Sequence, residues 1–115
     1  RFAQYTTTQD EVQFGFYAYM KLFYGPGGDC PQALPDWNRQ MLANLAEDQA
    51  LLPNFRAYVL PGTSHTIIGD NAFYAPRDRA PSVAAWLASM LDPLDAANWP
   101  HVACPDCLVP LPCGN

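Results

Sequence analysis

The chain has 115 residues, half of them apolar and 13% aromatic, which is enough for one globular domain with a real core and argues against disorder. Six basic residues against eleven acidic ones give a formal net charge of -5, and no Lys/Arg cluster stands ready to neutralise phosphates, so nucleic-acid binding is disfavoured. The apolar runs are only a few residues long, far short of the roughly 20 that a bilayer-spanning helix needs.

In chain order, RFAQYTT over 1–7 alternates roughly and is rich in Phe, Tyr and Thr, which favours a short strand. The chain starts at Arg1 directly in this strand-like stretch and without a leader pattern, so the expectation is a processed chain that structured sequence once preceded. From Glu11 to about Phe23, Val12, Phe16, Tyr19, Met20 and Phe23 fall at helical spacings, and Asp10 and Glu11 supply the acidic first turn that a helix dipole favours. YGPGGDCP then reads as a loop carrying Cys30. A second helix is expected from about Pro35 to Leu51, with Trp37, Met41, Leu45 and Leu42 inward and Arg39, Asn44, Glu47 and Asp48 outward, ended by Pro53. NFRAYVLPG is a strand of about six residues, followed by a loop that contains His65. A third helix is expected to start near Ala80, with Pro81 in its first turn and Val83, Trp86, Leu87, Met90 and Leu91 on one face. The rest, from Asp92 onward, is a Pro-rich strap holding Cys104, Cys107 and Cys113.

Two strands joined through helices point to a parallel crossover, and parallel sheets need both faces covered. Two strands are too few for a sheet that stands alone, so the expected fold is the end of a larger α/β domain. In open α/β sheets ligands gather beyond the carboxyl ends of the strands. Asp10 follows the first strand and His65 the second. A carboxylate that accepts one ring N–H fixes the imidazole tautomer and leaves the other nitrogen free to take a proton from a nucleophile, the arrangement acyl transfer needs. The order Asp before His, late in the sequence, is the order of α/β-hydrolases.

With FAQYTTTQDEVQFGFY, NFRAYVLPGTSHTIIGDNAFYA and SVAAWLASML, the chain resembles the C-terminal part of the pectin acetylesterase-like group of α/β-hydrolases over about residues 1–92. In that group an Asp in a D-x-x-Q setting follows the penultimate strand and a His in a Gly-x-x-His setting follows the last; the matching positions are Asp10 with Gln13 and His65 with Gly62. The resemblance implies a C-terminal portion of an α/β-hydrolase fold at 1–92 (the last two parallel strands with flanking helices), a Pro/Cys-rich strap at 93–115, and a serine carboxylic-ester hydrolase of deacylase or acetylesterase type. It implies no cofactor and no metal. The departure is the nucleophile. None of Ser64, Ser82 and Ser89 sits on a G-x-S-x-G elbow, so the serine and the oxyanion hole are expected on an N-terminal chain of the same precursor, with an acylated polysaccharide or other polymer as the ester substrate.

Plainer readings stand beside these. A loop histidine commonly has no task, and an Asp at a helix start is commonly a cap. Asp70 is the competing carboxylate, though so close to His65 in sequence it more naturally makes turn bonds, and Asp29 is a weaker rival still. Phe14, Phe16, Tyr17, Tyr19, Phe23 and Tyr24 read as packing residues, whereas Phe73 and Tyr74, just after the His loop, are candidate substrate-pocket residues. His101, Cys104, Cys107 and Cys113 have a spacing permissive for zinc, and CPDC for redox chemistry, but in a Pro-rich strap disulfides among Cys30, Cys104, Cys107 and Cys113 are preferred. Disulfides would place the protein in an oxidising compartment, secreted or periplasmic. The reading from another class is a secreted, disulfide-stapled binding or structural module without catalysis.

Overall fold

A computed structural model describes residues 1–24, 30–78, 80–94, 96–104 and 107, with backbone alone for 24, 30–33 and 96. Its elements are β1 (Phe2–Thr7), α1 (Glu11–Tyr24), α2 (Cys30–Leu51), β2 (Phe55–Leu60) and α3 (Val83–Leu91), with short 3-10 turns at Asn71–Phe73 and Ala96–Asn98. β1 and β2 pair in parallel with Phe2 opposite Phe55 and Thr7 opposite Leu60. Mixed helices around a parallel pair give an α/β arrangement.

Apart from Arg56, β2 is apolar on both sides, and both sides are covered. Phe55, Ala57 and Val59 meet Trp37, Met41 and Leu45 of α2 on one face. Tyr58 on the other joins Ile67, Val83, Trp86 and Trp99, where the Trp86 ring meets Tyr58 edge-on at 5.2 Å and Trp99 at the same separation. The period of two along one strand thus feeds two separate clusters.

Three expectations are corrected. α2 begins at Cys30, not near Pro35; Pro35 lies inside it, where the missing N–H forfeits one helical bond without ending the helix. α3 begins at Val83, not near Ala80, because the Ser82 hydroxyl caps it by accepting from Ala85 N at 3.2 Å, which leaves Pro81 outside. The stripe on α1 divides: Phe14 and Tyr17 pack against the α2 cluster, while Phe16, Tyr19, Met20 and Phe23 are exposed, Phe16 at 70%.

The strap is more than a connector. Val102 bridges to β2 on the edge away from β1, with Val59 N donating to Val102 O at 2.8 Å and Val102 N to Ala57 O at 3.0 Å. Trp86 Nε1 donates to Pro100 O and Arg56 Nε to Trp99 O, which hold the segment against the sheet. β2 is therefore central, and β1 has no neighbour on its outer edge among the described residues. No described helix is long and apolar enough to cross a membrane.

Candidate active site

The parallel pairing of β1 and β2 does not stop where the strands do. Thr8 N donates to Leu60 O at 2.9 Å, Gln9 N to Gly62 O at 3.0 Å and Glu11 N to Thr63 O at 3.2 Å, so the two loops leave the sheet side by side. Gly62 makes this possible with φ of 111°, a conformation that L side chains rarely take. The loops then deliver Asp10 and His65 to one place.

His65 Nδ1 lies 2.9 Å from Asp10 Oδ2 and 3.0 Å from Oδ1. Asp10 is fully buried, whereas the imidazole is 44% exposed, so one partner is fixed in the protein and the other reaches the surface. Gln13 completes the setting of the carboxylate: its backbone N donates to Oδ1 and its Nε2 to Oδ2, both at 2.9 Å. Asp10 is thus the cap of α1 and the partner of His65 at once. Three donors share two oxygens, which satisfies a buried carboxylate in its ionised form. With Nδ1–H donating to that carboxylate, Nε2 is left as the basic nitrogen on the exposed side of the ring.

A groove of mixed character lies behind this pair. Gln13 also lines this groove of about 410 Å³ between β1, α1 and α2, together with Gln4, Tyr17, Gln40, Asn44 and Asp48. Trp37, Met41 and Leu45 line it as well, so amides and a carboxylate share the groove with apolar side chains. On the sheet's other face Tyr5 and Tyr58 have their phenol pKa values raised, by burial above all, with the Arg77 guanidinium opposing.

The remaining candidates separate from this site. Asp70 caps the 3-10 turn by accepting from Ala72 N at 2.7 Å, a turn bond. Phe73 is half-buried against the Trp86 cluster and Tyr74 is 73% exposed, their rings meeting edge-on at 4.9 Å. Ser82 Oγ caps α3 and Ser89 Oγ donates to Trp86 O, so both hydroxyls serve their own helix. Cys104 and Cys107 are joined by a disulfide; Cys113, Asp29 and the side chains of Cys30 and Tyr24 lie outside the described residues. His101 turns Nδ1 to Ala57 N at 3.4 Å, and among the described residues no group of three or more His, Cys, Asp and Glu side chains could hold a metal.

Two positioning contacts escape sequence reading. The buried Thr7 hydroxyl donates to Ser64 O at 2.9 Å, and Asn38 Nδ2 donates to Thr8 O at 2.7 Å, tying α2 to the loop after β1. The only hint was TTT at the end of β1, where threonine is equally an ordinary strand residue. No protein-family model, curated protein or solved structure matches the chain.

Proposed function

We propose that this chain supplies the Asp and His of a Ser-His-Asp triad in a secreted or periplasmic carboxylic-ester hydrolase, the C-terminal portion of an α/β-hydrolase domain resembling the pectin acetylesterase-like group. The observation that carries the reading is the contact of a buried, triply bonded Asp10 carboxylate with Nδ1 of a half-exposed His65 beyond adjacent parallel strands. His65 Nε2 would take the proton of a serine hydroxyl as that oxygen attacks the ester carbonyl, then pass it to the departing alcohol. Water, activated by the same nitrogen, would release the acid and restore the serine. Asp10 holds the tautomer and stabilises the imidazolium in both steps.

The serine and the oxyanion donors belong, on this reading, to an N-terminal chain of the same precursor. Supporting that partner are the outer edge of β1, unpaired among the described residues, and the exposed Phe16, Tyr19, Met20 and Phe23 on α1, an apolar face suited to a bisected core. The Cys104–Cys107 disulfide goes with an oxidising compartment. Acetyl or other acyl esters on a polysaccharide or similar polymer are the proposed substrates, and no cofactor takes part.

The test uses the native preparation in which the chain occurs and the chain separated from it. The native preparation should hydrolyse an aryl acetate and take a fluorophosphonate on a serine other than Ser64, Ser82 and Ser89. His65→Ala should lower the rate by about 10⁴-fold or more. An unchanged rate in that variant, or full activity in the separated chain, sinks the proposal.

A further inference from the structure

We infer that Thr7 is a positioning residue for the His65 imidazole, acting through the Ser64 carbonyl; the inference rests on reading Asp10 and His65 as a catalytic pair. The backbone bridges between the two loops end at Thr63, whose carbonyl accepts from Glu11 N. Beyond that point α1 has begun: Gln13 N turns to the Asp10 side chain and Phe14 N to Asp10 O, each at 2.9 Å. Among the described residues no backbone N–H bonds to the next carbonyl of the His loop. A side chain takes over there: Thr7 Oγ1 donates to Ser64 O at 2.9 Å, one peptide unit before His65.

The position of this bond distinguishes it from an ordinary satisfied hydroxyl. Thr7 is 1% exposed and lies three residues before Asp10 on the same segment, so its hydroxyl links the backbone carrying the acid to the backbone carrying the imidazole. On the far side of His65 the next anchors are the buried Ile67 side chain and its carbonyl, which accepts from Asp70 N at 3.1 Å. The histidine therefore hangs between two fixed points, Thr7 and Ile67. Removing the first takes away the hydrogen bond to Ser64 O and frees the peptide plane that aims the ring. Proton transfer tolerates little of this, because misplacement by about 1 Å costs roughly 10²-fold in rate.

The experiment is solution NMR on the full chain, isotope-labelled, within its native assembly. In the unaltered protein the His65 Nδ1–H proton should be observed far downfield, and Thr7→Ser should keep it. Thr7→Val, nearly the same shape without the hydroxyl, should lose that resonance while the Trp86 Nε1–H signal, bonded to Pro100 O, stays in place. In the ester assay the same variant should lower kcat by roughly 10²-fold with KM unchanged. A His65 signal that Thr7→Val leaves untouched overturns the inference. Should that variant fail to fold, the unaltered protein decides: a slowly exchanging Thr7 hydroxyl proton correlated with the Ser64 carbonyl carbon supports the bond, and its absence overturns it. Asp10→Ala, which removes both acceptor oxygens, separates the two levels. If the His65 Nδ1–H resonance survives that change, it is the pairing of Asp10 with His65 that fails, whatever Thr7 does.

Discussion

At the scale of single residues, Asp10 unites two roles that compete when only its neighbours in sequence are considered. A cap needs one carboxylate oxygen on the N–H of the residue three further on, and Gln13 N supplies that bond. A histidine partner needs a carboxylate whose position does not vary, and the cap provides this. The two roles come apart under substitution. Asp10→Ser keeps a capping oxygen and should cost less in stability than Asp10→Ala, which loses about 1 kcal/mol from the cap alone, measured by urea unfolding. On the proposed reading, ester hydrolysis discriminates differently: both variants, and Asp10→Asn with them, should fall by about 10⁴-fold, because none stabilises an imidazolium.

At the scale of elements, α1 illustrates how far periodicity reaches. A helical repeat establishes that Phe16, Tyr19 and Phe23 share a face; it is silent about what lies opposite. The opposite partner within this chain is α2, and α2 meets Phe14 and Tyr17 instead. Phe16→Ser should therefore change the stability of the separated chain by no more than about 0.5 kcal/mol while raising its solubility. On the proposed reading, the same change should weaken association with the N-terminal chain, read by size-exclusion chromatography at falling concentration. The strands, the three helices and the meeting of Asp10 with His65 were legible because each follows from local pattern plus one topological rule, that parallel strands expose their loops at a common end. Helix boundaries at Pro35 and Pro81 were less so, since a proline marks where a helix is awkward and a cap such as Ser82 marks where it starts. Thr7 and Asn38 act through one long-range bond each and Val102 through an isolated bridge of two. A lone contact leaves no period in the sequence.

At the scale of the whole molecule, the strap couples the fold to pH. His101 Nδ1 accepts from Ala57 N beside the Val102 bridge, and burial, with Arg56 adding repulsion, holds its pKa below the ordinary 6.5. The unfolded chain therefore binds this proton more readily than the folded one. The contribution of His101 is whole above pH 6.5 and is lost as the pH falls through the lowered folded value. Thermal unfolding followed from pH 7.5 to 5 should show a downward drift in Tm that is smaller in His101→Asn, which carries no titrating ring.

Asp10 and His65 stand 55 positions apart, and that separation has a consequence in time. Helix–coil relaxation takes about 0.1–1 μs, whereas pairing β1 with β2 must first close the long chain between them. On the ribosome the interval is longer still: at about 5–20 residues per second, Asp10 is made about 3–11 s before His65 exists. A carboxylate left bare for that interval would have no partner in the emerging chain. Gln13 is only three residues away and binds it through both backbone and side chain, so the α1 cap can shelter the acid from the first turn onward, until the imidazole arrives.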